Sequence, residues 1–221
     1  FGLIARLAKL LPAVPGVVGV GDDTAVLPLG LLKSGFGGII NTETEGWLLV
    51  TVDSMVEERH FRRRYGDPYS VGWKLLASSL SDVAAMGGEP RVAVVNLALP
   101  GDCPVPWVED CYRGIAALAA QTGVGIVGGD TVAAREISLS LTLIGFTRQQ
   151  PRLRSAAVVG QDVWVSGQIG DAGAGLRLFE NSAATAADER YREKFLRPKP
   201  QIQLGGLLAK HNLASAMIDI S

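Results

Sequence analysis

Apolar and β-branched residues cluster or alternate in several short stretches, which predicts β-strands. The predicted strands are 47–56 (WLLVTVDSMV), 91–100 (RVAVVNLALP), 124–130 (VGIVGGD, a short strand and turn) and 136–147 (EISLSLTLIGFT). Alternation in the last strand puts four aliphatic side chains on one face and mostly Ser and Thr on the other. Residues 91–99 are apolar at nearly every position, which is typical of a strand covered on both faces. Helices can cover one face and a partner subunit the other.

Apolar residues at helical spacing predict helices before and between these strands. The first covers 3–11. The second opens at Asp67-Pro68, with Asp as N-cap and Pro at the first helical position, and continues to about Met86, where Gly87-Gly88 ends it. A third covers 106–123. Strands mixed with crossover helices predict an α/β or α+β sheet domain.

A polar stretch that contains proline, 147–162, predicts a domain boundary. We expect an N-terminal domain over 1–148 and the beginning of a second domain over 149–221. In the second part the pattern predicts a strand, a glycine turn and a helix over 162–181, a helix over 200–211 and a strand over 215–221. The chain stops inside this last strand, so we expect the biological protein to be longer.

The composition argues against several classes of protein. The 221 residues carry 21 Lys and Arg against 22 Asp and Glu, so the basic excess of a nucleic-acid-binding protein is missing. No apolar run is long enough to span a bilayer, and the start FGLIARLAKLLP lacks the cleavage site of a signal peptide. Cys103 and Cys111 have no metal-binding spacing, so we expect free thiols in a reducing, cytoplasmic compartment.

Aspartates recur where an apolar run meets glycine or small residues. They are Asp22 and Asp23 (GVGDDTAVL), Asp53 (LLVTVDS), Asp82 (SSLSDVAAMGG) and Asp130 (GIVGGDT). Asp is depleted in strands and is seldom buried without a partner. A hard cation such as Mg²⁺ takes oxygen ligands and usually bridges to phosphate oxygens. The pattern therefore favours an enzyme that binds a metal and a nucleotide.

Two of these aspartates also have plainer interpretations. Lys74, Ser78 and Asp82 share one helix face, which is either part of a site or a solvated polar face. The glycine before Asp130 permits close approach of a ligand, so that the carboxylate could hold a metal while the backbone meets a phosphate. A plain turn is the alternative, since Gly-Asp is common in turns.

The remaining candidates also have two interpretations each. Adjacent strand residues point to opposite faces, so only one of Asp22 and Asp23 is expected to join a given site, with Asp23 turned inward; a hairpin turn or a helix cap is the alternative. His60 lies in a loop rich in arginine, which suits a ligand that bears phosphate or is simply a solvated loop. The glycine-rich turn at 167–175 is not a Walker A sequence, and it either binds an anion at a helix N-terminus or allows close packing.

Taken in order, the motifs resemble the thiamine-monophosphate kinase family, within the wider group of aminoimidazole ribonucleotide synthetase, selenophosphate synthetase and the hydrogenase-maturation dehydratase. GVGDDTAVL resembles the family's GIGDDxAVL, VTVDSMVEERHF its (S/T)TDxLVEGxHF, and WKLLASSLSDVAAMGGEP its KALAxNLSDLAAMGAxP. GIVGGDT, GQIGDAGAGL and AMIDIS are similar to its LxGGDT, GxxGDSAAGL and the start of xxxDISDGL. The resemblance covers essentially the whole chain, and DSMVEERHF with SDVAAMGG favours the kinase over its relatives.

The resemblance implies ATP-dependent phosphorylation of thiamine monophosphate to thiamine diphosphate. It implies direct in-line transfer with several Mg²⁺ ions and without a covalent nucleophile, as expected where positioning and charge neutralisation dominate. By position, the implied metal ligands are Asp23, Thr51, Val52, Asp53, Asp82, Asp130 and Asp219. The implied ATP contacts are Gly129, Asp130, Arg154 and Ser221, and His60 is implied to face the substrate.

The resemblance also implies a fold. An N-terminal synthetase-like domain would join its sheet to that of a second subunit in a barrel, forming a homodimer, and a truncated C-terminal α/β domain would follow. Two departures bear on the site: Val52 offers only its backbone carbonyl, and Glu58-Arg59 make the loop before His60 bulkier and more charged. A sister enzyme that acts on another substrate and a non-catalytic nucleotide-binding homologue are the alternatives.

Overall fold

The computed structural model describes residues 17–18, 22–29, 45–180 and 188–220. The predicted helix over 3–11 and the predicted ATP contact Ser221 lie outside the described residues.

A five-stranded mixed sheet forms the centre of the structure. Its strands are β1 (Ala25–Pro28), β2 (Trp47–Val56), β3 (Glu89–Leu99), β4 (Gly125–Ala133) and β5 (Ser138–Thr147). Their order across the sheet is β1-β2-β5-β3-β4, and only the β3–β4 pair is parallel. A parallel pair needs a crossover, which a helix between β3 and β4 provides. The α/β prediction is confirmed, and the sheet of this chain is open rather than closed into a barrel.

Two long helices accompany the sheet, as predicted. Helix α1 (Pro68–Ala85) begins at the N-cap Asp67, whose side chain accepts a hydrogen bond from the Ser70 backbone N–H at 2.7 Å. It ends before Gly87, which adopts a left-handed φ of 71°. Helix α2 (Val105–Thr122) ends at Gly123, which has a φ of 73°. The local stop signals therefore work as the sequence indicates.

The hydrophobic core lies between α1 and one face of the sheet. Strand β5 alternates buried and partly buried residues along its length, and its buried side chains pack against α1. The aliphatic residues that fill this core with no or almost no exposure are Leu49, Leu75, Leu76, Leu80, Val83, Val95, Ile137, Leu139, Leu141 and Leu143. Burial of such side chains is the main driving force for the fold.

The opposite face of the sheet is open in this chain. The expectation that residues 91–99 are covered on both faces is met on the α1 side only, where Ala93, Val95 and Leu97 are buried. On the other face, Val94 is 41% exposed, Asn96 is exposed, and Val92 and Ala98 are half-buried. The physical reason is that both long helices lie on one side: α2 packs on α1 rather than on the outer face.

The two long helices approach closely at glycines. A Cβ on Gly72 of α1 would lie 1.9 Å from the Cys111 carbonyl oxygen, and one on Gly114 of α2 would lie 1.9 Å from the Tyr69 carbonyl oxygen. Neither position can hold a side chain unless the helices separate. This close crossing fixes the position of α1 relative to α2. Helix α1 carries the polar residues that face β2.

The C-terminal part consists of short helices. They are a 3₁₀ turn (Arg154–Ala156), α3 (Asp171–Glu180), α4 (Glu189–Leu196) and α5 (Ile202–Lys210). The helices predicted after the glycine turn and over 200–211 are confirmed. The strands predicted near 162–166 and over 215–220 are wrong: these residues form no strand, and Trp164 is 88% exposed. A strand requires a neighbour for its N–H and C=O groups, and none is present among the described residues.

Two further expectations concern the membrane and the thiols. Among the described helices, none is both long and apolar enough to span a bilayer. Cys103 and Cys111 are free cysteines, as predicted. Burial raises the pKa of the Cys111 thiol to about 12, so this cysteine stays protonated and behaves as a small core residue.

Candidate metal and nucleotide site

Three of the predicted aspartates meet at one point of the structure. Asp23, Asp82 and Asp219 each offer a carboxylate oxygen, and these oxygens lie within 4.8 Å of one another. Asp23 precedes β1, Asp82 lies in the last turn of α1, and Asp219 follows α5. We call these three residues, together with Asp22 and Asp53, the acidic cluster. Segments far apart in sequence thus supply these carboxylates.

Hydroxyl groups hold two members of the acidic cluster in place. The Thr51 hydroxyl donates to Asp82 Oδ2 at 2.5 Å, and the Ser79 hydroxyl donates to Asp53 Oδ2 at 3.2 Å. Thr51 and Asp53 are two residues apart on β2, so they share the face toward α1. Ser79 is not among the predicted site residues, although its spacing of three residues from Asp82 places both on one helix face.

Burial and mutual repulsion disfavour the charged forms of these carboxyls. Burial, followed by the charges of Asp53, Asp219 and Asp23, raises the pKa of Asp82 to about 7, and the hydrogen bond from Thr51 opposes this rise. The pKa of Asp53 and that of Asp23 are also raised, in both cases mainly by burial. Raised carboxyl pKa values in one cluster are typical of functional sites and indicate that a positive charge is needed here.

Arg154 supplies part of that positive charge. Its guanidinium Nη2 pairs with Asp23 Oδ1, its Nε lies 3.9 Å from Asp22 Oδ1, and its backbone N–H donates to Asp22 Oδ2 at 3.1 Å. Asp22 thus contacts Arg154, but only Asp23 is among the three residues whose carboxylate oxygens converge, and the expectation that one of the two joins the metal site stays a prediction. Asp23 lies in a bend before β1, so the alternation of strand side chains does not apply to it.

Two carboxylate oxygens in the acidic cluster have no hydrogen-bond partner. They are Asp23 Oδ2 and Asp219 Oδ2, both buried. Buried polar atoms are normally satisfied, so each exception calls for an explanation. Hard cations such as Mg²⁺ bind carboxylate oxygens, and three such groups within reach of one point fit that ligand chemistry. The residues present therefore fit a Mg²⁺ ion.

Two predicted metal ligands lie elsewhere. The register pairs Asp130 with Asn96 and places it on the open face of the sheet, whereas Asp53 faces α1. Asp130 is exposed, accepts a hydrogen bond from the Thr131 backbone N–H at 2.8 Å, and is not among the three residues that converge. Val52 is on the open face as well, and 62% of it is exposed. The metal roles of both residues, and the ATP contact of Asp130, stay predictions.

Gly129 has a structural reason of its own. A Cβ at this position would lie 1.8 Å from the Val95 carbonyl oxygen of the neighbouring strand. The glycine therefore allows β4 to approach β3, and its predicted contact with ATP stays a prediction.

The loop between β2 and α1 forms a separate cationic region. His60 Nδ1 accepts a hydrogen bond from the Val56 backbone N–H at 3.1 Å. His60 also lines a cavity of about 20 Å³ together with Arg62, Ser70 and Lys74, which is room for roughly one water molecule. The Lys74 ammonium lies 4.2 Å from the centre of the Phe195 ring, and burial lowers its pKa. Lys74 and Asp82 thus share a helix face but have different surroundings: Lys74 lines this cavity, and Asp82 belongs to the acidic cluster.

Aromatic rings attach this loop to the C-terminal helices. The Tyr65 and Phe179 ring centres lie 6.0 Å apart, and those of Phe179 and Phe195 lie 5.9 Å apart. Arg62 Nη1 donates to the Tyr65 hydroxyl at 3.0 Å and also forms an ion pair with a residue of α3. Contacts between aromatic rings, and contacts of cations with ring faces, are each worth about 0.5–1 kcal/mol or more. These aromatic contacts, which no local sequence pattern predicts, hold the loop that carries His60.

The glycine turn before α3 keeps its left-handed residues. Gly167 and Gly170 have φ values of 81° and 98°, and α3 begins at Asp171. The glycine turn and the helix after it are as predicted, the strand before them is not formed, and the possible binding of an anion by the turn stays a prediction.

Comparison with known proteins identifies the family. Residues 21–147 match the family model described as AIR synthase related protein, N-terminal domain. The chain belongs to this family. The matched part of the chain contains the sheet, both long helices, and Asp22, Asp23, Asp53 and Asp82 of the acidic cluster.

Individual relatives are similar over nearly the whole chain. The thiamine-monophosphate kinase of Bacillus subtilis is 36% identical over 212 residues, which are 92% of this chain and 60% of that protein. The one of Methanopyrus kandleri is 34% identical over 220 residues, covering 99% of this chain and 64% of that protein. The chain thus spans less than two thirds of the length of these relatives.

Solved structures agree with the fold. AaThiL complexed with AMPPCP and TMP superposes with a TM-score of 0.80 at 33% identity, covering 95% of this chain and 62% of that one. The thiamine-monophosphate kinase from Stenotrophomonas maltophilia K279a gives a TM-score of 0.69 at 35% identity, with 95% and 64% of the two chains covered.

Proposed function

We propose that the full-length protein transfers a phosphoryl group from ATP to thiamine monophosphate and forms thiamine diphosphate. The observation that carries this proposal is the convergence of Asp23, Asp82 and Asp219, with buried carboxylate oxygens that have no partner. Similarity to two thiamine-monophosphate kinases and to AaThiL complexed with AMPPCP and TMP supports the choice of the two substrates.

Asp23, Asp82 and Asp219 would hold Mg²⁺, which when bound neutralises charge on the phosphate oxygens. The Thr51 and Ser79 hydroxyls orient the carboxylates of Asp82 and Asp53. Direct in-line transfer needs positioned charge rather than a nucleophile of the enzyme. Accordingly, the proposed mechanism uses these positioning and charge-bearing groups and no covalent nucleophile.

The ATP contacts of the proposal are Gly129, Asp130, Arg154 and Ser221. Arg154 is supported most directly, because its guanidinium already lies at the acidic cluster and its fork suits phosphate oxygens. His60 is proposed to contact the phosphate end of thiamine monophosphate. The arginines and the lysine around its loop favour an anion and disfavour the thiazolium cation.

We also propose that the protein is a cytoplasmic homodimer in which the open face of the sheet packs against that of a second copy. The exposed valines on this face, Val52, Val94 and Val132, support the proposal. Such an apolar surface needs cover, and a second sheet of the same shape would supply it. The free thiols of both cysteines agree with a reducing compartment.

The test is incubation of the full-length protein with thiamine monophosphate, ATP and Mg²⁺, followed by chromatographic separation of the thiamine phosphates. We expect thiamine diphosphate and ADP in equal amounts, and no product when EDTA is present. ATP binding without any thiamine diphosphate would contradict the proposal and favour a non-catalytic homologue or a sister enzyme.

A further inference from the structure

One arginine carries the positive charge that contacts the acidic cluster. Within the described chain, Arg154 is the Lys or Arg residue that forms ion pairs with the cluster's carboxylates, and it does so with Asp22 and Asp23. Its backbone N–H also binds Asp22, so residue 154 is attached by main chain and side chain together. The attachment joins the segment after β5 to the turn before β1.

This single cation does not satisfy the cluster. The Asp23 side chain has 0% exposure, and only its Oδ1 meets Arg154, while its Oδ2 has no partner. Asp219 Oδ2 lacks a partner in the same way. A buried carboxylate oxygen without a donor or a cation is strongly unfavourable. A divalent cation bound to these free oxygens would lie close to the Arg154 guanidinium, and the two positive charges on one carboxylate would repel each other.

The Arg154 guanidinium is placed so that it can move away from the carboxylates of Asp22 and Asp23. Its side chain is 32% exposed, in contrast to the buried carboxylates that it meets. It starts from a short 3₁₀ turn outside the hydrophobic core. A guanidinium binds carboxylate and phosphate groups with the same fork of N–H donors. The group can therefore exchange one anion for the other without repacking of the core.

We propose that Arg154 is a built-in counter-ion that competes with the divalent cation for Asp23. In the protein without metal, Arg154 neutralises Asp22 and Asp23. When a divalent cation binds Asp23, the guanidinium is displaced and becomes available to an anionic ligand at the same site. The last step, in which that ligand is the nucleotide's phosphate group, rests on the proposed function. The competition itself does not.

The test measures Mn²⁺ affinity without any nucleotide. Full-length wild-type protein and Arg154→Gln are titrated with Mn²⁺, and free Mn²⁺ is followed by electron paramagnetic resonance. We expect the Mn²⁺ dissociation constant of Arg154→Gln to fall by roughly fivefold to tenfold, because a competing charge near the ligands is gone. If Arg154 does not compete with the metal, the dissociation constant stays unchanged or rises, and the proposal is overturned.

Two variants separate competition from general effects of charge and folding. Arg152→Gln removes an equal charge two residues away, where the guanidinium binds Asn212 and the Ala209 carbonyl instead of the cluster. Its Mn²⁺ affinity should match that of the wild type; an equal gain in both variants would refute a specific role of Arg154. Arg154→Lys retains the charge, so its affinity should stay within about twofold of the wild type. A gain like that of Arg154→Gln would also count against the proposal.

A second titration uses ATP at saturating Mg²⁺. We expect Arg154→Gln to bind ATP at least about fivefold more weakly than the wild type, while it binds Mn²⁺ alone more tightly. Weaker ATP binding with unchanged Mn²⁺ affinity would make Arg154 only a nucleotide contact and overturn the competition. Because the Mn²⁺ titration contains neither ATP nor thiamine monophosphate, its outcome does not depend on whether the protein is a kinase.

Discussion

Replacement of Asp82 by Asn is expected to stabilise the metal-free protein at neutral and alkaline pH. Burial and the charges of Asp53, Asp219 and Asp23 raise the pKa of the Asp82 carboxyl from 3.8 to about 7. Asparagine has the same shape, carries no charge and still offers a carbonyl oxygen to the Thr51 hydroxyl. The substitution therefore removes a buried charge and its repulsion by the neighbouring carboxylates, and it keeps the hydrogen bond.

The sign and size of the effect follow from proton linkage. A carboxyl with a higher pKa in the folded than in the unfolded state contributes stability that is complete below the unfolded pKa and is lost as the pH rises through the folded pKa. For Asp82 this window extends from 3.8 to about 7. Between pH 5 and pH 8 the wild type should lose roughly 2–3 kcal/mol of unfolding free energy relative to Asp82→Asn, since one pKa unit corresponds to about 1.4 kcal/mol.

Urea unfolding in the presence of EDTA at pH 5 and pH 8 measures this difference. Asp82→Asn should gain on the wild type as the pH rises, and Ser78→Ala, on the same helix, should show no such trend. With Mn²⁺ added, the order should reverse at pH 8, because the variant has lost a ligand. The reasoning is refuted if the difference between Asp82→Asn and the wild type is the same at both pH values.

Three further predictions concern activity and packing. Asp53→Asn should lower turnover at least about tenfold with an unchanged circular dichroism spectrum, because a carboxylate of the cluster is lost; near-normal turnover would remove Asp53 from the metal site. Phe179→Leu should raise the KM for thiamine monophosphate roughly threefold or more and leave the KM for ATP unchanged, because the loop with His60 loses its aromatic support; equal changes in both constants would contradict this. Gly114→Ala should lower the unfolding free energy by about 2 kcal/mol or more in urea, because its Cβ would meet the Tyr69 carbonyl oxygen, and an unchanged midpoint would contradict the close crossing.

Local patterns in the sequence were sufficient for much of the N-terminal part. The alternation over 136–147, the cap at Asp67 and the stop at Gly87 are properties of neighbouring residues, and each has its expected structure. Each aspartate is conspicuous for a similar reason, since a carboxylate at the end of an apolar run is unusual wherever it occurs. Their order then indicated the family.

What the sequence did not predict depends on contacts between distant residues. The Ser79 hydroxyl binds Asp53, which is 26 positions away, and Arg154 binds Asp23 across 131 positions. The Arg154 backbone N–H binds Asp22 across 132 positions, a contact that alternation along a strand cannot indicate. The strands predicted near 164 and 218 do not form, because a strand needs a neighbouring strand as well as β-branched residues.

The central claim is that Asp23, Asp82 and Asp219 form the metal centre. Anomalous diffraction from crystals of the full-length protein grown with Mn²⁺ and ATP tests it most directly. We expect an anomalous peak at roughly 2.1 Å from carboxylate oxygens of these three residues. Bound ATP without such a peak, or with metal peaks only at other residues, would contradict the claim.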